Sequence, residues 1–413
     1  MPRAPLSFTS AVKESYPADT KGKTKMSFAT LGEMVSRRKH PYAEDINMMD
    51  GSSTPIGAPP GYKVDRQDTL NPSPWNVRHW SWKKWAGLLA AILIIIIIVV
   101  VAVVEVDKKN KYPNYSALTY TLADTCSLAS YNLFCRFAND LLKSDSGTNF
   151  FDNFDYFTGF DPSSGFVHYV PAAQAQSLNL TFASSSSAVL RVDTSVTADS
   201  VPNASTGRFS VRLTSTKQYT DGLFIFDVIH TPIGCGTWPA LWLSDPSNWP
   251  ENGEIDVMEA VNVVGSAQNQ MALHTSSGCS MGVKRKETGT VLSKSCVNST
   301  DDNAGCGVDA GTATFGTSYN DNGGGVMAVE LRSAGIRIWQ FARSAIPSDV
   351  TSGSPNPSTW GEATADFPST DCDIGSHFKN QSIITNIDLC GTWAGAPSVY
   401  SETCGSSSFV TPF

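Results

Sequence analysis

Charge is sparse in this 413-residue chain: 16% of the residues are Asp, Glu, Lys or Arg, and six are histidine. No His-Glu-x-x-His pair, phosphate-binding loop or dinucleotide fingerprint occurs, so zinc-protease and nucleotide chemistry are without their usual sequence handles. No segment repeats at a solenoid period. No motif requires a cofactor, and nothing predicts a nucleic-acid partner. Cysteine is absent before Cys126, and all nine lie between there and Cys404. Such a one-sided distribution is expected when only the later part of a chain meets an oxidising compartment. An odd number leaves at least one thiol unpaired within the chain, and spacing does not reveal the connectivity.

The two parts are divided by an uncharged apolar run of twenty residues, Trp85 to Val104. At a rise of about 1.5 Å per residue it reaches roughly 30 Å, the thickness of a bilayer's hydrocarbon core, so 85–104 is expected to cross a membrane once. A cleaved signal peptide would be shorter and nearer the N-terminus. Residues 1–84 carry thirteen Lys and Arg against eight Asp and Glu, net +5, which leaves −13 for the rest of a chain whose formal charge is −8. The basic side is expected in the cytosol. The usable Asn-x-Ser/Thr acceptors, at Asn114, Asn179, Asn203, Asn298 and Asn380, also all follow the run, whereas Asn71 and Asn356 are blocked by proline. The expected organisation is a disordered cytosolic tail over 1–84, a membrane helix over 85–104, a stalk over 105–115 and an outside domain over 116–413. That makes a single-pass type II membrane protein. Trp75, Trp80, Trp82 and Trp85 flank the span as an aromatic belt would.

Beyond the stalk the pattern is one of short apolar and β-branched stretches between Gly, Pro, Asn and Ser. They run 209–213, 223–229, 240–243, 255–261, 271–275 and 326–341, and helical periodicity shows only over 128–142. Many short strands with turn signals between them predict an all-β sandwich or barrel. The stretch 326–341 reads as a hairpin turning at Ser333-Ala334-Gly335, with Arg337 facing opposite to Ile336 and Ile338.

Three carboxylates, Glu254, Asp256 and Glu259, interrupt one apolar strand. Alternation puts Glu254 and Asp256 on one face and Glu259 on the other, unless a one-residue bulge at Val257 or Met258 brings it back. Gathered on one face, the three repel, which raises at least one pKa and sets a proton donor beside a carboxylate that stays ionised. Glycoside hydrolysis uses that pair. A calcium site or a solvated strand face remains open from the pattern alone. Trp238 and Trp242 share a strand face, and Trp249 precedes Glu254 in a loop; a tryptophan cluster suits the apolar faces of sugar rings, although core packing accounts for any one of them. His274, on a neighbouring strand, reads equally as a sugar contact or as a satisfied sheet histidine.

These residues resemble glycoside hydrolase family 16, in its fungal endo-β-1,3(4)-glucanase or laminarinase-like branch. The likeness is carried by Gly236-Thr-Trp-Pro-Ala-Leu-Trp242, Asn248-Trp-Pro-Glu-Asn-Gly-Glu-Ile-Asp-Val-Met-Glu259 and Leu273-His-Thr-Ser276. Phe150-Phe-Asp-Asn-Phe154, Gly222-Leu-Phe-Ile225, Cys306-Gly-Val308 and Cys390-Gly-Thr-Trp-Ala-Gly395 extend it. It implies a concanavalin-A-like β-jelly-roll sandwich, a β-glucan substrate, and retention of anomeric configuration. By the same resemblance Glu254 is the nucleophile, Glu259 the acid/base and Asp256 the residue that tunes the nucleophile. Trp242 and Trp249 match cleft aromatics, and His274 lies near the leaving-group side. Structural calcium would be compatible, with no ligands identified. Departures are an insertion over about 126–143, with Cys126 and Cys135, and an end after Cys404-Gly-Ser-Ser-Ser-Phe-Val-Thr-Pro-Phe413 where relatives continue into a closing strand. A wall-remodelling transglycosylase and a catalytically silent glucan-binding module are the competing expectations.

Overall fold

A computed structural model describes residues 77–116, 147–195 and 207–405. The expected tail as far as residue 76, the helical periodicity at 128–142, the insertion with its two cysteines, and the last eight residues lie outside the described residues; the end of the expected disordered tail, 77–84, instead holds a short helical turn, Val77–His79, and the start of a long helix.

One long helix, α1 (Trp82–Asn110), is long and apolar enough to cross a membrane, and its apolar window buries nothing inside the protein. It extends beyond the expected 85–104 span at both ends and takes in the first half of the expected stalk. A run of Leu, Ile, Val and Ala offers no competing turn chemistry, so the helix continues into Lys108 and Lys109, whose charges suit its C-terminal end.

The later domain is a sandwich of two antiparallel sheets. Its strands are β1 (Phe154–Tyr156), β2 (Arg212–Tyr219), β3 (Gly222–Val228), β4 (Thr237–Ser244), β5 (Glu254–Glu259), β6 (Gln270–His274), β7 (Thr290–Val291), β8 (Val308–Asp309), β9 (Gly325–Arg332), β10 (Gly335–Ala342), β11 (Ala365–Pro368) and β12 (Gln381–Leu389). The larger sheet runs β1-β2-β12-β4-β5-β6-β8-β7 and the smaller β11-β10-β9-β3. Val329, Leu331, Ile336, Ile338 and Phe367 from the smaller sheet join Leu241, Leu243, Ile255, Leu273 and Ile387 from the larger in one buried cluster. Period-two alternation therefore leaves the opposite side of β4, β5 and β12 free to carry polar groups. The hairpin of β9 and β10 pairs Arg332 with Gly335, so its turn has two residues, Ser333 and Ala334, and Gly335 belongs to the strand.

Among the described residues three disulfides, Cys235–Cys404, Cys279–Cys372 and Cys296–Cys306, tie loops to this frame, and Cys390 is a free thiol. Residues just after α1 lie along the outer side of the smaller sheet. Tyr115 donates to Asp366 Oδ1 at 3.3 Å, with the Arg337 guanidinium 4.2 Å above its ring. Arg332 donates to the Ser116 carbonyl, Thr370 to the Lys111 carbonyl, and Lys109 pairs with Asp371 at 3.5 Å. Beneath Tyr115, buried Glu330 accepts from Arg337 and Arg332, so the charges at this face are matched.

Candidate active site

The expected bulge is present in β5. Asp256 pairs with Trp242 of β4, and the next partner, Leu241, faces Met258, so Val257 is the extra residue. Val257 and Met258 are consecutive, yet both are buried in the core between the sheets. Two successive core-facing residues shift the alternation by one, and Glu259 returns to the face of Glu254 and Asp256. A bulge strips ladder partners from the backbone, and here one buried side chain supplies them. Asn269 Oδ1 accepts from the Glu259 N–H at 3.0 Å, and its Nδ2 donates to the Val257 carbonyl at 2.9 Å. Sequence reasoning missed Asn269, whose signal would have been a buried amide one step before β6.

The register fixes what surrounds the carboxylates. Glu254 lies opposite Ser244 and His274, Asp256 opposite Trp242 and Ala272, and Glu259 opposite Ala240 and Gln270. Oxygens of Glu254 and Asp256 and a ring nitrogen of His274 all lie within 4.8 Å of one another. His274 Nε2 is 3.1 Å from Asp256 Oδ2, and its Nδ1 is 3.1 Å from Asn303 Oδ1. The trio is compact enough to hold a cation, and although His274 Nε2 lies close to Asp256 Oδ2, that oxygen is buried without a hydrogen-bond partner, so the cluster is not closed on itself. No other group of three such side chains among the described residues is as close.

Each carboxylate is held toward its protonated form. Burial, and then the charge of Asp256, pushes Glu254 up to about 8, opposed by His274 and by the indole of Trp249. Burial raises Asp256 to about 7. Glu259 is raised to about 8 by burial and by Asp256, while the Trp238 indole and His274 pull the other way. All three carboxyl groups are thus pushed upward, the direction that favours keeping a proton in a site that must donate one.

The tryptophans take different places. Trp238 donates from Nε1 to Glu259 Oε1 at 2.7 Å and meets Trp393 edge to face at 5.8 Å. Trp242 shares the carboxylate face but is 4% exposed, packed with Ala240 and Ile384, so it forms the floor and not an open platform. Its Nε1 is buried without a protein partner. Trp249 rides on a loop stapled by buried Asp245, which accepts from the Ser247 N–H and from the Asn248 and Asn252 side-chain amides at 2.8–3.2 Å. Its indole approaches Glu254 without the alignment of a full hydrogen bond. Gly253 (φ 69) lets this loop enter β5, since a Cβ there would sit 2.6 Å from Phe378.

Farther across the same face lie Asn386 of β12 and Arg212 of β2, which share one register row. Both are buried, and Arg212 Nε and Asn386 Oδ1 have no protein partner. The Arg212 guanidinium stacks 4.0 Å over Phe157. Asn386 Nδ2 donates to the Tyr169 hydroxyl at 3.1 Å, so the two belong to a covered polar cluster at the edge of the site. No local motif announces them, because strands distant in sequence bring them together. A second chemistry is ruled out on geometry: Gly278-Cys-Ser-Met-Gly282 has the spacing of a serine nucleophile elbow. Cys279 is disulfide-bonded, however, and Ser280 pairs in a β-bridge with Ser295, not on a strand-to-helix turn.

Known proteins share this arrangement. A family model described as an XgeA-like, catalytic GH16 domain matches residues 154–411. A Schizosaccharomyces pombe protein named a probable glycosidase is 45% identical over 299 residues, 71% of this chain and 64% of that protein. The structure of laminarinase 16A from Phanerochaete chrysosporium, with 6-O-glucosyl-laminaritriose in donor and acceptor sites, is similar with a TM-score of 0.61 at 39% identity, covering 71% of this chain and 94% of that one. An elongating GH family 16 β-1,3-glucosyltransferase matches with a TM-score of 0.57 at 38% identity, over 65% of this chain and 92% of that one. The chain spans 37% to 64% of the length of the first curated relatives it matches.

Proposed function

Because this chain belongs to glycoside hydrolase family 16, we propose that it cleaves β-1,3- or mixed β-1,3/1,4-glucan internally, with retention of configuration, in cell-wall glucan metabolism. The observation that carries this reading is the bulge, which sets Glu254, Asp256 and Glu259 on one open face. Glu254 attacks the anomeric carbon while the bond to the departing oxygen breaks and Glu259 gives that oxygen its proton. Glu259, now ionised, takes a proton from water, whose oxygen displaces Glu254 from the anomeric carbon. Asp256, between them, sets the charge felt by both. The cycle starts with Glu259 protonated and Glu254 ionised, one of the states open to a cluster whose carboxyl groups are all raised. Trp238, Trp249 and the floor formed by Trp242 would meet sugar rings, with His274 on the leaving-group side.

Reducing-end anomers released from laminarin, followed by NMR as they form, test this directly: β-anomers appear first, and α-anomers first would refute it. Glu254→Gln and Glu259→Gln should each lower kcat at least about a thousandfold with the fold intact. A glucan-elongating reading is favoured by the likeness to the β-1,3-glucosyltransferase. Products longer than the substrate, formed without any net rise in reducing ends, would establish it in place of hydrolysis. The described disulfides and all the glycosylation acceptors follow α1, which supports a membrane-anchored chain whose tail is cytosolic and whose domain lies outside.

A further inference from the structure

The end of β10 farthest from Tyr115 carries aromatic side chains on the side of the smaller sheet that faces away from the carboxylates. Gln340 points into the sandwich, donating to the Thr314 carbonyl and accepting from Asn269 beneath the bulge. Alternation therefore turns Arg337, Trp339 and Phe341 outward, and Arg337 accordingly meets Tyr115 there. Trp360, from the loop that follows β10, closes on two of them, edge to face with Trp339 at 5.3 Å and with Phe341 at 5.5 Å.

Beside Phe341 and Trp360 opens a cavity of about 590 Å³, bounded on its other sides by residues between 345 and 359. Small-molecule sites commonly measure about 300–1,000 Å³. Asp349 builds one wall. Its carboxylate accepts from the Trp360 indole at 2.9 Å, from the Asn356 N–H at 2.9 Å and from the Thr359 hydroxyl at 3.3 Å. One side chain thus fixes both the loop and the orientation of the indole, so the cavity has its shape before any ligand arrives. With its N–H spent on Asp349, the half-buried ring of Trp360 offers the cavity apolar surface, as Phe341 does. Ser348, Ser354 and Asn356 add hydroxyl and amide groups to the walls.

That lining selects among ligand classes. No Lys, Arg or His belongs to it, so nothing there balances a phosphate or a carboxylate. Its one carboxylate already holds three protein donors, so a divalent cation lacks its shell of oxygens. A purely apolar ligand would cover the hydroxyls and the amide without pairing them. A neutral polyol with apolar ring faces meets both needs, a face against the aromatic surface and its hydroxyls against the polar walls.

We propose that this cavity is a second saccharide-binding site, which holds a stretch of the same polymeric β-glucan that the carboxylate face cleaves. This rests on the reading of the chain as a β-glucan hydrolase. The two sites stand on opposite sides of the sandwich, so the cavity is a separate hold on the polymer and not an extension of the cleft. A held polymer raises the local concentration of cleavable segments. The gain is largest for long or insoluble glucan and absent for an oligosaccharide too short to reach both sites.

The test uses the full chain in detergent, as wild type, Ala345→Glu and Ser354→Arg. The two substitutions fill the cavity with opposite charges, so an effect they share comes from filling it. Both should lower retention on an insoluble β-1,3-glucan about three- to tenfold, a tenfold loss being ~1.4 kcal/mol, and lower the rate of its cleavage in step. Tm and kcat/KM on laminaritetraose should match the parent. Retention equal to the parent's in both variants would overturn the proposal. An equal fall of kcat/KM on laminaritetraose would overturn it too, because the substitutions would then be acting through the fold or the cleft. Retention decides this proposal even if the parent cleaves no glucan at all, so failure of the catalytic reading stays separate from failure of this one.

Discussion

Glu259 touches one group that its companions do not, the indole N–H of Trp238 at 2.7 Å. A donor favours the ionised carboxylate, so this bond holds the pKa of Glu259 below where burial and Asp256 would put it. A general acid works while protonated, and activity is lost as pH rises through its pKa. Trp238→Phe removes the donor, so the alkaline limb of kcat/KM should move upward, by about one unit if the bond contributes ~1.4 kcal/mol. A limb that stays in place or moves down would show that another group sets it. At this scale the sequence was partly legible. Glu254, Asp256, Trp249 and His274 stand in one short stretch or on adjacent strands, where spacing carries information. Arg212, Asn386 and Asn303 reach the face from segments far away in sequence, and no window of residues holds their signal. Trp242 could be placed on the right face, but its depth depends on Ile384, which no local pattern connects to it.

The bulge in β5 is an element with a separable cost. Deleting Val257 leaves the next residues as Met and Glu at the positions that already pair with Leu241 and Ala240. Strict alternation then puts that Glu on the same face as Glu254 and Asp256. The deleted chain should therefore fold cooperatively with its register unchanged, and retain measurable glucan cleavage. Asn269→Ala in the parent leaves the Val257 carbonyl and the Glu259 N–H unpaired and should cost about 2–4 kcal/mol. With Val257 deleted the same substitution should cost clearly less, as the difference between denaturant midpoints in a double-mutant cycle. Equal cost in both backgrounds would mean that Asn269 acts through its other contacts, such as Gln340. The alternation broken in β5 was visible in the sequence because only a bulge could unite the carboxylates, and the hairpin of β9 and β10 because eight-residue strands repeat the period. The two-residue strands β7 and β8 show no period at all and form where the chain runs back past β6.

In the whole molecule the two sheets divide the work: the larger carries the carboxylates, and the outer side of the smaller is covered by the segment after α1. That covering was not foreseen, since Tyr112 and Tyr115 look like spacer residues until Lys286 and Arg337 are seen over their rings. Tyr115→Ala removes a bond to Asp366 and the cover over a buried charge network. It should lower stability by about 2 kcal/mol, several degrees in Tm, with kcat on laminarin unchanged because the carboxylates belong to the other sheet. A fall in kcat without a fall in Tm would contradict that separation.

The covering also means that continuity of the chain and attachment to α1 are distinct. Between Ser116 and the first described residue of the domain lie thirty residues, 117–146. If the chain is cut there at an engineered protease site, Tyr115, Lys109 and the carbonyls of Lys111 and Ser116 still grip the domain. The severed domain should sediment with membranes at low ionic strength and leave them in high salt or after Tyr115→Ala; immediate release on cutting would show that the grip fails without the covalent link. In a chain anchored as proposed, this segment would act as a latch with its own dissociation constant, and shedding the domain would take two events, a cut and an unlatching.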